Sequence, residues 1–155
     1  MPTLYLLIGV PGSGKSTWIK NQNFDWGNTI IASTDDEIEA LAQQAGKTYN
    51  DVFHDEIKNA TAKMMQNVQH ALRSGVDIVW DQTNTGVKNR APKLAMIPKS
   101  YRKVAVVFPT PGAVELGRRL ASRAGKNIPD HVMRSMIANL QMPTEAEGFD
   151  EVITV

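Results

Sequence analysis

Eight consecutive residues near the start, Gly9-Val10-Pro11-Gly12-Ser13-Gly14-Lys15-Ser16, carry the spacing G-x-x-x-x-G-K-S. That is the pattern of a phosphate-binding loop. Chance produces it in roughly one chain of this length in two hundred. Glycines let the backbone wrap a phosphate without a Cβ clash. The main-chain amides of Gly12, Ser13 and Gly14 supply partial positive charge. The Lys15 ammonium reaches the β- and γ-phosphates, and the Ser16 hydroxyl is a ligand for Mg²⁺. Thr17 belongs to the helix surface or to the α-phosphate. ATP and Mg²⁺ are the expected ligands.

Three further groups bear on what happens to the phosphate. Asp35, in Ser33-Thr34-Asp35-Asp36, can meet a hydroxyl opposite the γ-phosphate and accept its proton. Asp36 reads as an acid favoured by a helix dipole. Trp80-Asp81-Gln82-Thr83-Asn84 ends an apolar run. Asp81 there resembles the acid of a Walker B element, serving Mg²⁺ through water or binding the acceptor. Thr83 and Asn84 either join the acceptor site or shape the turn and cap the next helix. Motor ATPases usually place Glu after that Asp, and Gln82 stands here instead, which favours transfer over hydrolysis. The third group is Arg118, Arg119, Arg123 and Lys126. Arg119 and Arg123 share a helix face, as a clamp on the transferring phosphoryl group requires. Lys126 follows in the loop beyond Gly125, a candidate hinge, and Arg118 is expected to point elsewhere.

These groups need a scaffold that brings them to one edge. Leu4–Val10 reads as a strand buried on both faces. Further strands are expected at Thr29–Ala32, Val76–Trp80, Lys103–Phe108 and Val152–Val155. Helices are expected at 15–23, 36–45, 51–74, 87–96, 113–122 and 130–140. Thr34 with Glu37 fits a capping box for the second of them. Phe53, Ile57, Ala60, Met64, Val68 and Leu72 make an apolar stripe on the third. Val132, Met136 and Leu140 do the same on the last, with Met133 and Ile137 beside them. Strands alternating with helices predict an α/β fold: a mainly parallel five-stranded sheet flanked by helices. The basic lid covers about 113–134, within a single domain over 1–155. Adjacent strand ends would then place Asp35 and the phosphate loop on one crevice.

Composition narrows the chemistry. No cysteine occurs among 155 residues, which excludes disulfides, thiol nucleophiles and cysteine-bound zinc. His54, His70 and His131 are scattered, so a histidine metal cluster is not expected. No apolar run is long enough to span a bilayer and no secretory leader is apparent. No membrane partner is expected, and the cytoplasm is the expected compartment. Net charge is +1 overall, yet residues 88–134 hold eleven Lys and Arg against two Asp and Glu. Such a block suggests an anionic ligand.

Taken together, Gly-x-Pro-Gly-Ser-Gly-Lys-Ser-Thr-Trp from Gly9, the Asp35-Asp36 pair, Asp81-x-Thr-Asn and the Arg119/Arg123 lid resemble the kinase domain of the phage-type polynucleotide 5′-kinases. These are small AAA-like P-loop kinases, and the resemblance runs from about residue 3 to about 140. It implies a P-loop kinase fold and transfer of the ATP γ-phosphate to the 5′-hydroxyl of DNA or RNA. A nucleic acid with a 5′-hydroxyl end is then the partner, in the host cytoplasm if the gene is phage-borne. By position, Lys15 and Ser16 take the phosphate and metal roles, Asp35 the general-base role and Arg123 the transition-state clamp. Asp81 matches a required acid. Where the phage enzymes often carry an arginine that grips the acceptor's 3′-phosphate, this chain has Ile38. The fused 3′-phosphatase of those enzymes is not expected.

On the acceptor reading, Lys88, Arg90, Lys93, Lys99, Arg102 and Lys103 could track a phosphate backbone. Trp18, Trp26, Tyr49 and above all Trp80 could stack bases. A small-molecule hydroxyl kinase acting on a nucleoside, sugar or antibiotic is the alternative. A nucleotide-dependent switch is the third possibility, and would need no base at Asp35.

Overall fold

A computed structural model describes all 155 residues. Five strands, β1 (Thr3–Ile8), β2 (Thr29–Ala32), β3 (Asp77–Trp80), β4 (Arg102–Val107) and β5 (Glu151–Thr154), form one sheet. The helices are α1 (Lys15–Asn21), α2 (Thr34–Ala45), α3 (Tyr49–Ser74), α4 (Val87–Met96), α5 (Ala113–Ala121) and α6 (Asp130–Ala138). A short 3-10 turn at Glu145–Glu147, not expected from the sequence, precedes β5. No helix is long and apolar enough to cross a membrane.

The strand order is β2-β3-β1-β4-β5, and every pairing is parallel. Both faces of β1, β3 and β4 are covered, which explains why these strands read as continuous apolar runs, while the edge strand β5 is largely exposed. Leu4, Leu6 and Ile8 point to one side with Ile78, Trp80 and Ala105, against Met64 and Val68 of α3. Leu7, Val79, Val104 and Val106 point to the other, against Ile19 of α1. The order corrects one expectation: β1 and β2 are not neighbours. β3 lies between them, in register from Leu6 to Trp80 and from Trp80 to Ala32. The end of β3, carrying Asp81, thus separates the phosphate loop from Asp35.

Helix ends follow local chemistry. Ser33, not Thr34, caps α2, its Oγ accepting from the Asp36 amide at 3.2 Å. α3 starts two residues earlier than expected, because Thr48 and Asp51 form a reciprocal capping box. Gly75 ends it in the left-handed region, at φ +67°. The lid has a small core of its own, where Leu116 of α5 and Met133 of α6 close on Val10. Met133, rather than the Val132 stripe, is the buried centre of α6.

Arg90 is the largest correction to the basic block. It is fully buried and forms a forked pair with Glu147 at 2.8 and 3.1 Å, while also donating to the Asn84 and Thr85 carbonyls. It staples the turn after β3 to the turn before β5, and no phosphate backbone can reach it. Arg90→Met should cost about 3 kcal/mol at neutral pH, because it strands a carboxylate and two carbonyls. The Arg90 guanidinium helps hold the Glu147 carboxyl below its usual value, against burial, which works the other way. Its contribution is therefore present above the unfolded-state value and lost as pH falls through the lower folded one. Urea titrations at pH 7 and pH 3 should show the gap between wild type and variant shrinking in acid.

Candidate active site

The phosphate loop joins β1 to α1, and its backbone is shaped for a ligand. Gly12 and Gly14 take φ +82° and +104°, which side-chain-bearing residues rarely adopt. A Cβ on Gly9 would come within 2.5 Å of Ser13 Oγ and 2.9 Å of Phe108 Cβ. Ser13 Oγ is buried without a hydrogen-bond partner. The Lys15 ammonium folds back onto the Gly9 and Val10 carbonyls at 2.7 and 3.1 Å. An orphaned hydroxyl and a lysine with only carbonyls for company suit an incoming polyphosphate. No group of three or more acids and histidines could hold a metal unaided. An ion would draw on Ser16, nucleotide oxygens and water.

The loop opens onto a cleft of about 1110 Å³. Gly12, Ser13, Gly14, Lys15, Ser16 and Thr17 line it, and so do Thr34, Asp35, Asp36 and Glu39. Asp81, Gln82 and Thr83 also line it, as do Arg118, Arg119, Arg123 and Lys126 of the lid. The structure thus brings together nearly all the residues singled out from sequence. Among the candidate site residues of the phosphate loop, the two acidic motifs and the basic lid, Asn84 is the exception. It is buried at φ +49°, and its Nδ2 donates to the Leu7 and Gln82 carbonyls.

Burial lowers the Lys15 pKa to about 8, although Asp81 and Asp35 pull it upward. Bound phosphates would raise it again. Affinity for ATP without metal should thus be full below pH 8 and decline by up to about tenfold per unit above it. Calorimetry in chelator between pH 7 and 10 measures this. Burial likewise pushes Asp81 up to about 6, against the attraction of Lys15.

Asp35 has its two oxygens separately engaged. The Tyr49 hydroxyl donates to Oδ1 at 2.7 Å, and the Lys126 ammonium lies 3.1 Å from Oδ2. Burial works to raise its pKa, but Tyr49 and Lys126 outweigh it and keep the carboxyl below its ordinary value. Lys126 also meets Glu39 at 3.1 Å and sits 4.3 Å from the Tyr49 ring centre. Lys126 is therefore paired with the acids of the cleft, while its charge is still felt at Lys15. Gly125 holds it there at φ +70°, with room for no Cβ: Thr48 would be 2.6 Å away.

The arginines divide the lid. Arg118 and Arg119 both pair with Glu115, and Arg119 donates to the Gly12 carbonyl at 3.0 Å. Arg118, expected elsewhere, also borders the cleft. Of the four lid cations that line the cleft, Arg123 is the one without a carboxylate partner, and its charge, like that of Lys126, acts on both Lys15 and Asp35.

Several expected acceptor contacts are elsewhere. Trp80 is fully buried, with its indole N–H donating to Gln82 Oε1 at 3.1 Å, so it stacks no base. Lys93 lies beneath it, 2.7 Å from the same oxygen and bonded to Asn84. Burial brings the Lys93 pKa down to about 8. Gln82 is thereby fixed with its N–H groups toward Thr34, since neither Lys93 nor Trp80 can accept. Ile38 is buried in the α2–α3 core and does not face the cleft. Trp18 packs among Tyr5, Phe24 and Phe108, and only Trp26 is substantially exposed. Tyr49, considered for stacking, instead holds Asp35.

Comparison with known proteins bears on the fold and the family. Mouse (Mus musculus) heterogeneous nuclear ribonucleoprotein U-like protein 2 is 29% identical over 160 residues, covering 95% of this chain and 20% of that protein. The chain spans about a fifth of the length of the curated relatives it matches. A chain of the Pnkp1/Rnl/Hen1 RNA repair complex superposes with a TM-score of 0.69 at 24% identity, over 96% of this chain and 46% of that one. Shikimate kinase from Acinetobacter baumannii superposes with a TM-score of 0.58 at 18% identity, over 100% and 84% of the two chains. Both share the P-loop kinase fold, a parallel sheet with flanking helices. The match that assigns a family is to the AAA domain, over residues 4–143, and it takes in the phosphate loop, Asp35, Asp81 and the lid: the chain belongs to the AAA-domain family of P-loop proteins.

Proposed function

We propose that this domain is an ATP-dependent hydroxyl kinase that transfers the γ-phosphate to the 5′-hydroxyl of a polynucleotide, with Asp35 as general base. The observation that carries the reading is the half-exposed Asp35 carboxylate, oriented by Tyr49 in the same cleft as the phosphate loop. A switch or binding module has no use for a carboxylate so held. Gly12, Ser13, Gly14, Lys15, Ser16 and Thr17 would hold the triphosphate, with Arg119 and Arg123 closing from the lid. Ser16, and Asp81 through water, would hold Mg²⁺. When bound, Mg²⁺ neutralises charge on the β- and γ-phosphates.

In the transfer step the acceptor oxygen bonds to the γ-phosphorus as the bond to the leaving ADP oxygen breaks. Asp35 takes the hydroxyl proton. Lys15 and Arg123 offset charge on the transferring group. Water has no matched activator, because Gln82 occupies the place where a hydrolytic glutamate would stand.

Support for a polynucleotide acceptor comes from the motif order and from the likeness to a chain of an RNA repair complex. A second reading, a small-molecule acceptor, is favoured by the acids that line the cleft. Asp36 and Glu39 flank Asp35, Ile38 is withdrawn into the core, and the likeness to shikimate kinase spans the whole chain. Incubation with γ-labelled ATP, Mg²⁺ and a 5′-hydroxyl oligonucleotide, with a 5′-phosphorylated control, separates the readings. Label on the first alone supports the polynucleotide kinase. Label on neither, with ATP binding intact, directs the search to small acceptors.

A further inference from the structure

We infer that Tyr49 is the positioning residue of Asp35, fixing Oδ1 so that Oδ2 is the oxygen that receives the acceptor's proton. The inference rests on the reading of Asp35 as the base. The two carboxylate oxygens differ in what holds them. Oδ1 accepts from Tyr49, the first residue of a 26-residue helix whose start is fixed by the Thr48–Asp51 capping box. The phenol ring packs on Phe53, 5.6 Å between centres, and on the α2–α3 core. A tyrosine so seated has little freedom, and its single O–H proton is committed to Asp35. Oδ2 accepts from Lys126, a side chain on the lid loop just beyond Gly125. A lid side chain can leave as the loop moves, whereas Tyr49 is anchored in the body of the domain.

The proton balance is simple. The acceptor O–H breaks, Oδ2–H forms, and Tyr49 still donates to Oδ1 of the neutral acid. An unheld carboxylate would rotate about its terminal torsion and spread its lone pairs over many directions. One short hydrogen bond to a rigid donor removes that freedom. The charged groups facing Asp35 are Lys126 and Arg123 of the lid, Lys15 of the phosphate loop, Asp36 and Glu39 of α2, and Asp81 after β3. Tyr49 is the neutral donor among them.

Tyr49→Phe keeps the ring beneath Lys126 and removes only the hydroxyl. Carbon-13 NMR can titrate the Asp35 carboxyl in the full chain without nucleotide, its resonance identified by its loss in Asp35→Asn. The Tyr49→Phe midpoint should lie higher than wild type, corresponding to about a threefold to tenfold gain in proton affinity. With γ-labelled ATP and a 5′-hydroxyl oligonucleotide, kcat should fall about tenfold with KM for ATP unchanged. The acid limb of the rate profile should move up with the midpoint. An unchanged midpoint, or a raised KM for ATP at full kcat, overturns the role of Tyr49. If the wild-type chain labels no oligonucleotide, the acceptor reading fails on its own. The titration then decides Tyr49 alone.

Discussion

Replacing Arg123 by alanine should lower phosphoryl transfer about a thousandfold while leaving ATP affinity within a few-fold of wild type. The expectation comes from what Arg123 lacks. Arg118 and Arg119 are tied to Glu115, and Lys126 is tied to Asp35 and Glu39. Arg123 has no such partner, and its charge is felt at both Lys15 and Asp35. A cation with that placement and no ground-state partner can act on charge that appears only as the phosphoryl group transfers. Single-turnover rates with saturating ATP isolate the effect. Arg118→Ala, with a mostly exposed side chain, is the control and should change the rate less than about threefold. A loss below about tenfold in Arg123→Ala would move the clamp to Arg119 or Lys126.

Asp35→Asn should cost at least about a hundredfold in transfer, the lower range for general-base catalysis. The variant keeps an oxygen for the Tyr49 hydroxyl but loses the lone pair and charge at the other position. Folding should survive, because the carboxylate is half exposed and supports no core contact. Lys126 would lose one of its two anionic partners and keep Glu39. ATP binding, measured by calorimetry, should change little, since the Asp35 side chain bonds Tyr49 and Lys126 and makes no hydrogen bond to the phosphate loop. A protein that only binds nucleotide would show no difference between the two forms in any assay of that binding. A transfer loss smaller than tenfold would remove Asp35 from the base role.

The phosphate loop and the strands were legible because their signals are local. A glycine-spaced loop between an apolar run and a helix needs no partner to be recognised. The order of the sheet was not legible, since nothing within a strand says which neighbour it takes. That is why Asp81 turned out to lie between Lys15 and Asp35. The contact of Tyr49 with Asp35 was missed for a different reason. The apolar stripe of α3 begins at Phe53, and the start read from it was Asp51. The Thr48…Asp51 pair carried the true boundary, and with it the position of Tyr49 at the helix's first residue. Trp80 could have been placed in the core by alternation, since it shares its face of β3 with Ile78. Arg90 shares a helix face with Leu94, four residues on, which hinted at burial. Its partner Glu147 is 57 residues away in a 3-10 turn, and no spacing rule connects them. Lys126 was grouped with the basic lid, and only tertiary structure pairs it with Asp35 and Glu39.

The central claim is that this cleft passes phosphate from a nucleotide to a hydroxyl that Asp35 deprotonates. Phosphorus NMR follows that directly in one tube holding the domain, ATP, Mg²⁺ and a 5′-hydroxyl oligonucleotide. The γ-resonance should be replaced by a phosphomonoester on the oligonucleotide, with little free phosphate, and Asp35→Asn should abolish the conversion. Conversion of the γ-resonance to inorganic phosphate alone, at equal rates in wild type and Asp35→Asn, would contradict the claim.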